Sequence, residues 1–227
     1  MNEWPLSPRL LAAAALCEGA RSVIDVGCDH AQLCIFLARR DPALLLYASD
    51  LREGPLAAAR RNLAEAGLSA RVLTVLCGGL SAFSPDDGDT IVICGMGGEL
   101  IAQILADAPW ALDGRRLVLQ PMTRADALRA FLAARGCTVT DERLVAEDGR
   151  LYCVLAAHGG GVPHTPAQLL FTDAMRREPL FCDYLLRERA RLIQIIQGRA
   201  RGGADSTPER AMLTYIDGEV AQCRSTH

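Results

Sequence analysis

The sequence predicts an α/β fold: a mostly parallel, doubly wound sheet that ends in an antiparallel hairpin, followed by a helical hairpin. Three observations carry this expectation. Apolar strand-like runs alternate with helix-period segments up to about residue 136. Two strand-like runs then follow one another directly across 137–158. Beyond the glycine run at 159–161, the apolar spacing is helical only.

Ser7-Pro8 ahead of RLLAAAALC reads as an N-cap and first-turn proline opening a short helix. VIDVGC (23–28) is an apolar run entering a glycine turn, the pattern of a buried parallel strand. Helical spacing resumes from His30 to Arg40. LLLYASD (44–50) is a second strand ending in an acid. Gly54-Pro55 opens a helix that runs to Ala66, with Gly67 as its stop. ARVLTVL (70–76) is a third strand. DTIVICGMGG (89–98) is a fourth, ending in a glycine cluster and leading into the helix ELIAQILADA. RRLVLQP (115–121) is a fifth strand and TRADALRAFLAARG (123–136) a helix. The final pair of strands turns at Glu147-Asp148-Gly149. Two helices are expected at about 166–200 and 207–223, split by RGGADSTP, with Leu180, Phe181, Tyr184, Leu185, Leu192, Ile195 and Ile196 on one face. The expected domains are 1–160 and a coiled-coil-like hairpin, 164–227.

The composition is that of a globular chain: 227 residues, half of them hydrophobic. All 24 basic residues are Arg, so any basic phosphate contact must use a guanidinium. The net charge of -3 neither advertises nor excludes a nucleic-acid partner, because a local patch suffices. The nine Cys form no CxxC pair and lie mostly in apolar runs, which reads as free thiols in a reducing compartment. No long apolar segment suggests a signal sequence or membrane span. A cytoplasmic protein with no metal and no membrane contact is the expectation.

The first loop carries the most chemistry. A dinucleotide fingerprint starting at Gly27 needs glycines at 29 and 32, and the chain has Asp29 and Gln32. A pyrophosphate would meet the Asp29 carboxylate, so a hydride-transfer dehydrogenase is the weakest reading. A cationic ligand suits an acid there. The same residues also allow a plain βα turn with Asp29 capping the next helix. Asp50 ends the second strand 23 residues after Gly27, where this fold type uses an acid for ribose hydroxyls. The small residues of GMGG (95–98) allow close backbone approach to a ring. A parallel sheet closed by an antiparallel hairpin is the Rossmann-like arrangement of S-adenosyl-L-methionine (SAM)-dependent methyltransferases, whose cofactor is a sulfonium cation.

DVGCDHAQL, ASDLREGP, CGMGGELI, LQPMTRADALRAFL and AEDGRLYCVL, in this order and spacing, resemble the bacterial tRNA (adenine(22)-N1)-methyltransferases. The likeness covers about 7–157 well and the tail more loosely. It implies SAM-dependent methylation of a D-arm adenine at N1, with tRNA as partner. By position, the resemblance assigns Asp25, Gly27, Asp29 and His30 to the cofactor loop and Asp50 to the ribose. It assigns Gly95, Met96, Gly97 and Gly98 to the meeting point of cofactor and adenine. Glu147, Asp148 and Tyr152 match the acidic turn and last strand. Gly78 falls at a cofactor-binding position where the family has an acid, and Met122 where it has Asn.

Asp29, tuned by His30, is the candidate to stabilise the cationic product, and the two are the expected catalytic pair. In the tail, seven Arg stand against three acids over 176–201. Arg176, Arg177, Arg187, Arg191 and Arg199 are the expected RNA contacts, against the plain alternative of a solvated helix face. Two other readings remain at this point: a methyltransferase of a small molecule, and a non-catalytic RNA-binding module.

Overall fold

The computed structural model describes residues 6–162 and 171–225. Residues 163–170, which hold the expected start of the hairpin at 164 and of its first helix at 166, lie outside them.

The first compact unit ends at Met175. Helix α1 (Pro8–Leu16) begins as the sequence predicts, with Ser7 Oγ accepting from the Leu10 N–H. The elements β1 (Ser22–Val26), α2 (Gln32–Arg40), β2 (Leu45–Asp50), α3 (Glu53–Glu65), β3 (Val72–Leu76), β4 (Thr90–Gly97), α4 (Gly98–Asp107), β5 (Arg116–Thr123) and α5 (Ala125–Ala134) alternate in order. A 3-10 turn at Pro109–Leu112, which the sequence pattern does not predict, joins α4 to β5. Strands β6 (Thr138–Glu147) and β7 (Arg150–His158) close the unit. The sheet order is β3-β2-β1-β4-β5-β7-β6, parallel throughout except that β7 runs antiparallel to β5 and β6. The strand order reverses between β1 and β4, so their carboxyl ends open a crevice, the usual ligand position of such sheets.

The central strands are buried on both faces. Val23, Ile24, Ile91, Val92, Ile93, Leu117, Val118 and Leu119 are all buried. Such strands read as unbroken apolar runs, which is why they were visible in the sequence. The unit also buries an ion pair between Arg129 of α5 and Glu142 of β6, exposed by only 2% and 0% at their side chains. Cys153 donates to Glu142 Oε1, and the Thr172 hydroxyl donates to Glu142 Oε2. Thr172 Oγ1 in turn accepts from the Met175 N–H, opening the short helix α6 (Asp173–Arg176).

The second compact unit starts at Arg176. It holds α7 (Phe181–Arg201) and α8 (Thr207–Ser225), packed as a hairpin. The expected continuous helix to 200 is instead broken at 177–180. Pro179 has no N–H to donate and disfavours helical backbone at Glu178. Phe181, Leu185, Leu192 and Ile196 form the buried face of α7. At the turn, Asp205 accepts from the N–H and hydroxyl of Thr207. Cys182 and Cys223 form a disulfide between the two helices. The expectation that every thiol is free fails there, because α7 and α8 bring the two Cα atoms within 6.0 Å.

Candidate active site

The carboxyl end of β1 turns at Gly27, whose φ is +74°. Its N–H and that of Cys28 both donate to Ser49 O at the end of β2, at 2.8 and 2.9 Å. The methyl of Met96 lies 2.2 Å from where a Cβ on Gly27 would stand. Gly27 is therefore required twice, by its backbone and by its neighbour. The same contact joins the first loop to the end of β4.

Asp29 and Ala31 are also left-handed, at φ 48° and 55°. Asp tolerates that region, whereas for Ala it stores of order 1–2 kcal/mol, the kind of strain that clusters at functional sites. Helix α2 starts at Gln32 with Ala31 as its N-cap and no side-chain capping bond, so Asp29 is not the cap the plain-turn reading required. Asp29 is free of that duty and largely exposed. His30 Nε2 stands 3.6 Å from Asp29 Oδ1. The His30 carbonyl accepts from Asn62 of α3, which fixes the loop from outside.

Asp25, the first acid of the expected cofactor loop, is buried at the root of that loop. Its carboxyl points under α2, is 5% exposed, and accepts from the Cys34 thiol at 3.6 Å. Burial pushes its pKa up to about 7, against the smaller pull of the Cys34 bond. Within the strand its side chain belongs to the layer between sheet and helices, where it bonds α2 to β1.

Asp50 ends β2 as expected. Its Oδ1 accepts from the Arg52 N–H at 2.8 Å. Beside it, Leu51 and Leu76 are exposed at the ends of β2 and the adjoining β3. Gly78 is exposed and lies next to Leu51, 3.4 Å from its Cδ1 by the same measure. Exposed apolar side chains therefore flank the Asp50 carboxylate, which is nearly buried and has the Arg52 guanidinium 4.0 Å from its Oδ1; an acid beside apolar surface is the chemistry a nucleoside needs. The acidic, phosphate-repelling first loop and this surface together fit SAM.

At the end of β4 the register slips between Cys94 and Met96, and Gly95 takes φ +78°. The Gly95 N–H donates to Gln120 Oε1 at 3.0 Å. Gly97 is the N-cap of α4, and a Cβ on Gly98 would stand 2.2 Å from the Arg124 carbonyl oxygen. Sequence reasoning missed what holds this bulge. Arg9, on α1, donates through NH1 to Gln120 Oε1 at 3.1 Å and to the Met122 sulfur at 3.0 Å. Its Nε and NH2 engage Glu147 Oε1 at 2.9 and 2.8 Å, and its backbone N–H donates to Glu147 Oε2. The guanidinium also lies 4.8 Å over the Tyr152 ring. Arg9 holds the Glu147 carboxyl below the usual carboxylate range, and Glu147 raises Arg9. Glu147 and Tyr152 are thus placed at the bulge's support. Asp148, with φ 49°, makes the exposed β6–β7 turn.

In the hairpin, most of the expected RNA contacts are engaged. Arg176 pairs with Glu219, Arg191 with Glu188, and Arg199 with Glu209. Arg189 pairs with Asp217. Arg176, Arg177, Arg187 and Arg199 are exposed and Arg191 is half-buried. Among the described residues no group of three or more His, Cys, Asp or Glu is placed to hold a metal, and no helix is long and apolar enough to cross a membrane.

The family described as "Methyltransferase domain" matches residues 6–155. The chain is 35% identical over 161 residues to the Bacillus subtilis tRNA (adenine(22)-N1)-methyltransferase, covering 70% of this chain and 68% of that protein. The crystal structure of the Bacillus subtilis tRNA methyltransferase TrmK superposes with a TM-score of 0.75 at 27% identity, covering 98% of this chain and 99% of that one. A Streptococcus pneumoniae protein in complex with SAM superposes with a TM-score of 0.80 at 29% identity, covering 95% and 100%.

Proposed function

This chain belongs to the tRNA (adenine(22)-N1)-methyltransferase family, and on that premise we propose that it transfers a methyl group from SAM to N1 of a D-arm adenine in tRNA. The observation that carries the reading is the first loop: an exposed carboxylate at Asp29, beside Gly27, at the switch point of the sheet. When bound, SAM supplies an electrophilic methyl on a sulfonium.

Asp50 would accept the ribose hydroxyls, and Leu51 with Gly78 would face the cofactor's ring. The family's acid is absent at Gly78, so stacking rather than a charged acceptor holds the ring there. The Gly95–Gly97 backbone lets the target adenine approach closely. N1 attacks through its lone pair, so no side chain has to remove a proton first. The chain's own contribution is therefore mostly the alignment of two reactants. The methylated ring carries a positive charge, and Asp29 stabilises it as it develops, with His30 beside it. Asp25 acts at one remove, by tying α2, which follows the loop, to β1.

The tail reading is narrower than five phosphate contacts. Arg176, Arg191 and Arg199 reach RNA only by exchanging carboxylate partners. We assign the chemistry to the unit that ends at Met175 and tRNA contact to the unit that starts at Arg176, in place of the expected division at 160 and 164, and we place the protein in the cytoplasm with its substrate.

The test is calorimetry with SAM, then methyl transfer to unmodified tRNA with mapping of the product. Heat with SAM and a new N1-methyladenine in the D-arm are expected. The absence of SAM binding would refute the reading. Asp50→Ala should abolish cofactor binding, and Asp29→Ala should slow transfer with SAM still bound. Full turnover by Asp29→Ala would remove the charge-stabilising role.

A further inference from the structure

Arg9 lies outside every motif that marks the site, yet it donates to Gln120, the side chain that holds the β4 bulge. Gln120 is wholly buried, and its Oε1 accepts from two donors, the Gly95 N–H and Arg9 NH1. Its Nε2 is committed to Pro121 O at 3.0 Å. The side-chain amide is therefore locked by its neighbours, and Arg9 is one of the locks. The bulge takes Gly95 out of the regular β4–β5 register, so Gln120 replaces a ladder bond. From Gly95 the chain passes directly to Met96, whose methyl covers Gly27.

We propose that Arg9 is a positioning residue for methyl transfer, holding Gln120 and through it the Gly95 bulge in the geometry that presents Met96 and Gly97 to the reactants. The inference rests on the methyltransferase reading above.

The choice of arginine follows from its shape. One edge of the guanidinium, Nε and NH2, is used on Glu147. The remaining nitrogen, NH1, reaches Gln120 and Met122. A lysine ammonium is a single point and cannot span both. The pairing also answers an electrostatic problem. The product ring is cationic, and a bare guanidinium close by would oppose it. Glu147 cancels that charge, so Arg9 can position without repelling. Met122, where the family has Asn, supplies a weak sulfur acceptor to the same nitrogen.

The test compares Arg9→Lys and Arg9→Met with the parent chain. The measurements are kcat and KM for tRNA, the SAM dissociation constant, thermal melting, and hydrogen exchange at the Gly95 amide. Arg9→Lys keeps a cation for Glu147, so melting and SAM binding should stay close to the parent. Its kcat should fall about 10–100-fold, with faster Gly95 exchange. Arg9→Met should lose kcat equally and melt lower as well. A parental kcat in Arg9→Lys, or a kcat loss that only tracks the folded fraction, overturns the proposal. A parent chain inactive on tRNA would overturn the assigned reaction instead. The Gly95 exchange still decides the positioning claim in that case: faster in Arg9→Lys supports it, unchanged refutes it.

Discussion

Replacing Gly27 by Ala tests the joint between the first loop and the β4 bulge. Two separate penalties are expected. Holding Ala at φ +74° costs about 1–2 kcal/mol, because its Cβ crowds the following carbonyl. The new methyl would also stand 2.2 Å from the Met96 methyl, far inside contact distance, and overpacking of this kind costs roughly 1–3 kcal/mol. Gly27→Ala should therefore destabilise by roughly 2–5 kcal/mol. Only the second share depends on Met96. In a double-mutant cycle with Met96→Ala, the coupling should be about 1–3 kcal/mol in the direction of relief. Urea unfolding of the four proteins gives the cycle, and calorimetry gives SAM affinity. The affinity of Gly27→Ala should drop about tenfold for each 1.4 kcal/mol that the bound loop must absorb. Additivity within about 0.5 kcal/mol would refute the claim that Met96 closes the space over Gly27.

Arg129→Met leaves Glu142 buried without its cation and should destabilise by about 3–5 kcal/mol, with much of the loss recovered in Arg129→Met/Glu142→Leu by the same unfolding assay. Asp25 makes stability fall as pH rises. Its folded carboxyl keeps a proton to about pH 7 while the unfolded one loses it near an ordinary carboxylate value, so its stabilising effect is whole below about pH 4 and gone above about pH 7. Asp25→Asn should flatten that slope in urea midpoints measured from pH 5 to 8, and an unchanged slope would count against the burial argument. Reducing Cys182–Cys223 opens a 41-residue link and should destabilise the hairpin by roughly 2–4 kcal/mol, seen as faster exchange in α7 and α8 with the sheet unchanged.

The sheet was legible because its central strands are buried on both faces and so stand out as apolar runs between helical segments. The turn at Gly27 and the acid at Asp50 were legible because each ends such a run. The inward turn of Asp25 was not, since a strand buried on both sides has no polar face to betray which way a side chain points. The break before α7 is carried by Pro179 alone, against a helical periodicity that runs on either side of it. The Cys182–Cys223 pair gave no local signal, and an odd number of cysteines does not forbid one bridge. Arg9 was hidden for a different reason. Its partners lie 111 and 138 residues away, and only the fold brings α1, β5 and the end of β6 together.

The glycine run at 159–161 looks like the natural place to sever the chain when the sheet is wanted alone. Glu142 says otherwise. Its Oε2 takes the Thr172 hydroxyl, and the unit is compact only through Met175. A fragment stopped at 160 would keep the seven strands yet strand half of an interior carboxylate without its donor. Any attempt to study the two halves separately should cut after 175, so that a failure to fold is not mistaken for dependence on the helical half.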